Sequence, residues 1–212
     1  MVEYNKIESI YKRDPISKKT IEEFRNPYFN YLKNITWDFT EKVDGTNIRV
    51  CWDGHSVMFL GRTNKAQIPN NLLNLLNKLF GGNVNEELFE QKFGNSEVII
   101  FGEGYGPKIN CGERYTDEIN FIVFDVMING KYLSRTSVVD ISNYFNLPYV
   151  PILFSGNLQQ GIDFVKSNPK SIVGNKETYM EGLVARPQNE LYDSNGNRLI
   201  TKIKYDDIKD LL

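Results

Sequence analysis

The stretch EKVDGTNIRV, Glu41 to Val50, places a lysine between an acid and an Asp-Gly turn. Other segments of dense polar chemistry stand at expected strand ends. They are GRT at Gly61 to Thr63, FGEGYG at Phe101 to Gly106, and EGLVARP at Glu181 to Pro187 with TKIKY at Thr201 to Tyr205. Together they supply Lys42, Lys202 and Lys204, Arg62, and the acids Glu41, Glu103 and Glu181. That set suits attack on a triphosphate. A lysine amine bonds to phosphorus once nearby cations or desolvation lower its pKa. Other cations and a metal neutralise the charge building on the α-phosphate and the leaving pyrophosphate. Carboxylates hold that metal, or accept hydrogen bonds from ribose hydroxyls and the adenine amine. In T-K-I-K, Lys202 and Lys204 lie two apart and so share one strand face, with Ile203 on the other.

Competing chemistries fit less well. The glycines of FGEGYG invite a dinucleotide reading, but Pro107 to Gly112 starts no helix whose N-terminus could take a pyrophosphate. No G-x-x-x-x-G-K-[ST] occurs, and His55, the one histidine, stands in a turn. Cys51 and Cys111 are far apart, which indicates neither a disulfide framework nor a zinc site. Taken singly, each candidate also has a plainer reading. Lys42 is a surface lysine before a turn, Phe124 a core residue and Glu181 a strand start. Arg62 is a hairpin end, and Lys202 with Lys204 a solvated face.

The elements that must position these residues alternate between strand and helix patterns. A short helix is expected over IEEFRN, with strands from Trp37 onward and a hairpin at Trp52-Asp53-Gly54-His55. Leucines and phenylalanine at helical spacing mark PNNLLNLLNKLFGG, and a second helix runs through NEELFEQKF with Asn85 as its cap. An apolar strand ends in FGEGYG, and INFIVFDVM and KYLS form a hairpin split by Asn129-Gly130. Helices over TSVVDISNYF and NLQQGIDFVKSN then lead to the two last strands. Strand pairs outnumber crossover units, so the class is α+β with largely antiparallel sheets flanked by helices.

At 212 residues the chain buries about 70% of its unfolded surface on folding. Its 41% hydrophobic content excludes disordered and fibrous classes. A net charge of −2 gives no global footprint for nucleic acid, so any such contact must come from a local basic surface. No apolar run approaches a membrane span and no signal peptide opens the chain, so a cytoplasmic, reducing setting is expected. Without repeat or linker, one domain over residues 1–212 is expected.

The ordered set K-x-D-G, FGE, E-G-[LV]-V and K-x-K resembles the covalent nucleotidyltransferase superfamily of polynucleotide ligases and mRNA capping enzymes. EKVDGTN with FGEGYG and KIK is most similar to ATP-dependent RNA ligases of the phage ligase-2 and RNA-editing branch. The resemblance covers Glu41 to Lys204. It implies a nucleotidyltransferase (ATP-grasp-like) fold, ATP with Mg²⁺ or Mn²⁺ as cofactors, and RNA 5′-phosphate and 3′-hydroxyl ends, nicked or paired, as substrate. By the same resemblance Lys42 carries AMP, Glu41 reads the adenine amine and Glu103 the ribose hydroxyls. Phe124 stacks on adenine, and Asn47 and Arg62 contact phosphates. Glu181 holds metal, and Lys202 and Lys204 contact the α-phosphate. Arg49→Ala, on the same early hairpin but outside the motifs, is expected to reduce adenylation only weakly. Relatives usually carry a C-terminal or oligonucleotide-binding barrel domain, and none is expected here. A minimal ligase, a catalytic fragment and a subunit whose protein partner supplies RNA binding all stay open. A DNA ligase or guanylyltransferase core, or a binding module that has lost catalysis, are the alternatives.

Overall fold

The computed structural model describes residues 2–211. They form two compact units, one made of residues 2–5 with 44–150, the other of residues 6–43 with 151–211. In chain order the strands are β1 (Glu8–Ser9), β2 (Tyr11–Arg13), β3 (Thr20–Phe24), β4 (Trp37–Glu41), β5 (Thr46–Trp52) and β6 (Val57–Gly61). They continue as β7 (Val98–Tyr105), β8 (Asn120–Ile128), β9 (Lys131–Tyr132), β10 (Ile152–Gly156), β11 (Gly182–Pro187) and β12 (Thr201–Lys204). The helices are α1 (Phe29–Leu32), α2 (Asn70–Phe80), α3 (Asn83–Phe93), α4 (Arg135–Tyr144), α5 (Leu158–Lys166) and α6 (Tyr205–Ile208). Among the described residues no helix is long and apolar enough to cross a membrane.

The first unit is an antiparallel sheet in the order β6-β5-β7-β8-β9. Alternation turns Ile48, Val50 and Trp52 of β5 and Val98 and Ile100 of β7 to one face. There they bury against Leu72, Leu76 and Phe80 of α2, Phe89 of α3 and Val138 of α4. Each such side chain contributes about 1.5–3 kcal/mol by leaving water. Gly104, in FGEGYG, serves this packing: a Cβ there would stand 2.4 Å from Leu72 Cδ2. α3 starts two residues before the expected cap. Gly82 holds the N-cap position, and Asn85 lies inside the first turn, its Nδ2 donating to Gly81 O at 2.8 Å. An amide donor turned to a carbonyl leaves the helix N–H groups uncapped by that side chain, so Asn85 is no cap.

The second unit carries a sheet in the order β1-β12-β11-β4-β10, antiparallel except for β1 beside β12. Leu158, Ile162 and Val165 of α5 pack on Trp37, Phe39, Leu183 and Ile203. Asn157 and Gln160 close a capping box at the start of α5. The segment IEEFRN is not helical. Residues Thr20–Phe24 pair with β2, and Phe24 stacks on Tyr11 at 5.7 Å with the rings 10° apart. Strand pairing and the aromatic contact outweigh a helix propensity of a few tenths of a kcal/mol per residue.

Arg49, outside the motifs, has a structural role. It is wholly buried on β5, where its Nε donates to Gly61 O at 2.8 Å, Nη1 to Val2 O at 3.0 Å and Nη2 to Asn64 Oδ1 at 2.9 Å. Arg49→Ala strips three acceptors of their donors and leaves a void. It is expected to cost about 3 kcal/mol of stability, read from chemical denaturation.

Candidate active site

Strand register in the second unit builds a cluster of lysines around one carboxylate. β4 ends at Glu41, and Lys42 continues it, its N–H donating to Gly182 O at 2.9 Å. Across β11, Gly182 pairs with Lys204, while Val184 pairs with Thr40 on one side and Lys202 on the other. Because side chains alternate, Lys42, Lys202 and Lys204 emerge on one face, and Ile203 enters the core as expected. Glu181, just before β11, sits between two of them. Its Oε2 lies 2.5 Å from Lys42 Nζ and its Oε1 2.8 Å from Lys204 Nζ. Lys42 stands at the end of an interior strand, not at a sheet edge.

Lys202 differs from its two neighbours. Among the described residues its ammonium group has no hydrogen bond or ion pair. Burial pushes its pKa down, the charges of Lys42 and Lys204 push it further, and Asp207 and Glu181 offset only part. A desolvated, repelled ammonium is one whose charge a nearby anion would relieve.

Gly182 is required by this packing. A Cβ there would fall 2.0 Å from Ile203 O and 2.8 Å from Lys204 Cα, inside the β11–β12 pairing. Gly182→Ala therefore has to part the two strands that carry Lys204 and Glu181. A loss of about 3 kcal/mol in stability is expected, checked by denaturation of the variant.

Glu41 is on the opposite side of β4 from Lys42, on the side of Trp37 and Phe39, and is only 2% exposed. Its Oε1 accepts from Ser171 Oγ–H, and its Oε2 from Ile172 N–H at 2.9 Å. Neither partner was legible in the sequence, because 130 residues separate Ser171 from Glu41.

The first unit holds the other candidates. Asn47 and Glu103 are direct cross-strand partners on β5 and β7, on the sheet face turned away from the helices. Among the described residues the buried Asn47 Oδ1 has no hydrogen-bond partner, and it is an acceptor that only a donor would satisfy. Phe124 is the extra residue of a bulge in β8 where Phe101 pairs with Asp125 and Gly102 with Val123. It is half-buried, its ring edge-on to Tyr4 at 5.1 Å, and so is no core residue. Arg62 lies just beyond β6 and is exposed. Tyr115 was not anticipated: wholly buried, its hydroxyl accepts from Asp44 N–H at 3.1 Å within the K-x-D-G motif. Burial pushes the Cys51 thiol up to about 11, which leaves it inert at neutral pH.

A divalent cation fits this donor set only in one manner. Among the described residues no three of His, Cys, Asp and Glu come together as a metal cage. Glu181 is a lone carboxylate flanked by ammonium groups, which suits a cation held chiefly by substrate phosphates and water.

The family model described as RNA ligase matches residues 35–204. The chain belongs to the RNA ligase family. Among solved structures, it shares its fold with mutants of the Naegleria gruberi RNA ligase. One with ATP and Mn is 20% identical, with a TM-score of 0.64, and the match covers 97% of this chain and 60% of that one. Another with ATP and Mn is 18% identical at a TM-score of 0.67, covering 99% and 58%. A third, with AMP and Mn, is 19% identical at 0.65, covering 98% and 61%. The chain thus spans about three fifths of the length of these structures. No curated protein matches it significantly. The mixed α+β architecture with antiparallel sheets flanked by helices is the one expected from the strand pairs of the sequence.

Proposed function

We propose that the chain acts as one nucleotidyltransferase domain of an ATP-dependent RNA ligase, of the phage ligase-2 and RNA-editing branch. The observation that carries this reading is the set of three lysines on one sheet face, two of them paired with Glu181. Lys42 sheds a proton, for which Glu181 Oε2 is an acceptor within reach. Its neutral amine then attacks the α-phosphorus of ATP. A nitrogen–phosphorus bond forms, the bond to the bridging oxygen of the β-phosphate breaks, and pyrophosphate leaves. Lys202 and Lys204 meet the charge that develops on the α-phosphate. An oxygen of an RNA 5′-phosphate next attacks the same phosphorus, which breaks the lysyl bond and gives RNA-adenylate. A 3′-hydroxyl finally attacks the RNA phosphate and expels AMP, sealing the strand.

ATP and a divalent metal, Mg²⁺ or Mn²⁺, are the cofactors of this reading. The Naegleria gruberi structures with ATP and Mn support that choice. When bound, the metal neutralises phosphate charge, and Glu181 is the residue that would hold it, directly or through water. Glu41 is assigned to the adenine amine, Glu103 to the ribose hydroxyls, Phe124 to the base face, and Asn47 and Arg62 to phosphates. Those five roles rest on the motifs. The test is incubation with labelled ATP or GTP and a divalent metal, followed by a search for covalent label. Absence of label on the intact protein overturns the reading.

A further inference from the structure

The Asp-Gly turn of the K-x-D-G motif is gripped by a loop of the first unit, residues 106–115. Two hydrogen bonds hold its backbone, one on each residue of the turn. Tyr115 Oη accepts Asp44 N–H at 3.1 Å, across 71 residues of chain, and Asn110 Nδ2 donates to Gly45 O. A Cβ on Gly45 would fall 2.3 Å from Gly104 O, so the turn also lies tight against β7. The loop has little freedom of its own. Gly106 bridges to Ile109, Gly112 N–H donates to Ile109 O at 2.8 Å, and Tyr115 N–H to Gly112 O at 3.1 Å. Ile109 is buried in the core of the unit, and a Cβ on Gly112 would stand 2.4 Å from Gly106 N. The Tyr115 ring is wholly buried, edge-on to Tyr105 at 5.9 Å, with the Arg114 guanidinium over it at 5.2 Å.

We propose that this loop clamps the K-x-D-G turn, so that Tyr115, aided by Asn110, is a positioning residue for the Lys42 amine. The inference rests on the reading of Lys42 as the nucleophile. Upstream, Lys42 is fixed where its own N–H meets Gly182 O at 2.9 Å. Downstream, only Val43, itself buried, separates it from the N–H that Tyr115 accepts. A backbone pinned on both sides of one residue confines the amine to the torsions of its own side chain. Attack on phosphorus needs that confinement, since a misplacement of about 1 Å costs on the order of 10²-fold in rate. Binding of ATP does not need it. The clamp therefore acts on the step that forms the nitrogen–phosphorus bond and not on affinity for the nucleotide.

Single-turnover formation of enzyme–AMP over a series of ATP concentrations tests this on the whole chain. Tyr115→Phe, Asn110→Ala and the double variant stand beside it, each assayed well below its melting temperature. Tyr115→Phe keeps the buried ring and removes only the oxygen. It is expected to lower the maximal rate about tenfold and to move the half-saturating ATP concentration by less than about twofold. The double variant should approach a loss of about 10²-fold. A Tyr115→Phe protein that melts lower yet reaches the maximal rate of the intact chain has lost structure alone, and overturns the proposal. So does a loss confined to the half-saturating concentration, which would make Tyr115 part of ATP binding. Should Tyr115→Phe not fold, the exposed Asn110→Ala decides, and an unchanged maximal rate there overturns the clamp. An intact chain that takes no label overturns the reading of Lys42, and the proposal with it.

Discussion

Replacing Lys42 by alanine or arginine is expected to leave the protein without covalent label after incubation with labelled ATP and a divalent metal. The loss should exceed about 10⁴-fold, because the atom that bonds to phosphorus is gone and no neighbour can take its place. Lys204 is the nearest alternative amine by sheet position, but it is held by the same carboxylate from the other side, at 2.8 Å. Lys202, which has no ion pair among the described residues, is displaced along the sheet to the register of Thr40 and Val184. In the intact protein the label should behave as a phosphoramide, stable to alkali and released by acid or hydroxylamine. Label that persists on Lys42→Ala means another residue is the nucleophile, and the assignment fails. Label on the intact chain that is alkali-labile points to an ester and fails it equally. Both outcomes are read on one gel.

How far the sequence reached follows from the range of the interactions. The face shared by Lys202 and Lys204 is a property of a two-residue period, so T-K-I-K was enough to place both outward and Ile203 inward. The proximity of Lys42 to Glu181 was implied by motif order alone, and the register of β4, β11 and β12 supplies its physical basis. What escaped was set by distant partners. The burial of Arg49 has no local signal, because Gly61 O, Val2 O and Asn64 Oδ1 bring it three acceptors inside the fold. IEEFRN has helical composition and becomes β3, because Tyr11 and the β2 backbone offer it a better partner than solvent does. The bulge that sets Phe124 depends on how β8 is registered against β7, which no local pattern in FIVFD announces. The Ser171 loop joins Glu41 across 130 residues, and neither end carries a signal for the other.

Lys202 should show a conflict between stability and activity that Lys204 does not. Its folded-state pKa lies below the ordinary lysine value of 10.5, first through burial and then through Lys42 and Lys204. The sign follows from linkage. A group depressed on folding contributes stability that is full above its unfolded pKa and lost as pH falls through its folded pKa. At neutral pH the charged Lys202 therefore weighs against the folded state, the charges of Asp207 and Glu181 offsetting only part of the penalty. Lys202→Met removes that penalty and is expected to raise the melting temperature at pH 7, by about 2 °C. It should also flatten the rise in stability with pH between the folded value and 10.5. Lys204→Met breaks an ion pair with Glu181 instead and gains no such stability. Both substitutions remove a cation from the phosphate site, so each should slow enzyme–AMP formation by about 10²–10³. The paired measurement separates the two residues: thermal melts over a pH series, and single-turnover labelling with ATP. A Lys202→Met protein that melts lower and labels normally would show a structural lysine on a solvated strand. One that melts higher and labels slowly would show an ammonium group kept at a cost to the fold for the phosphate it is to meet.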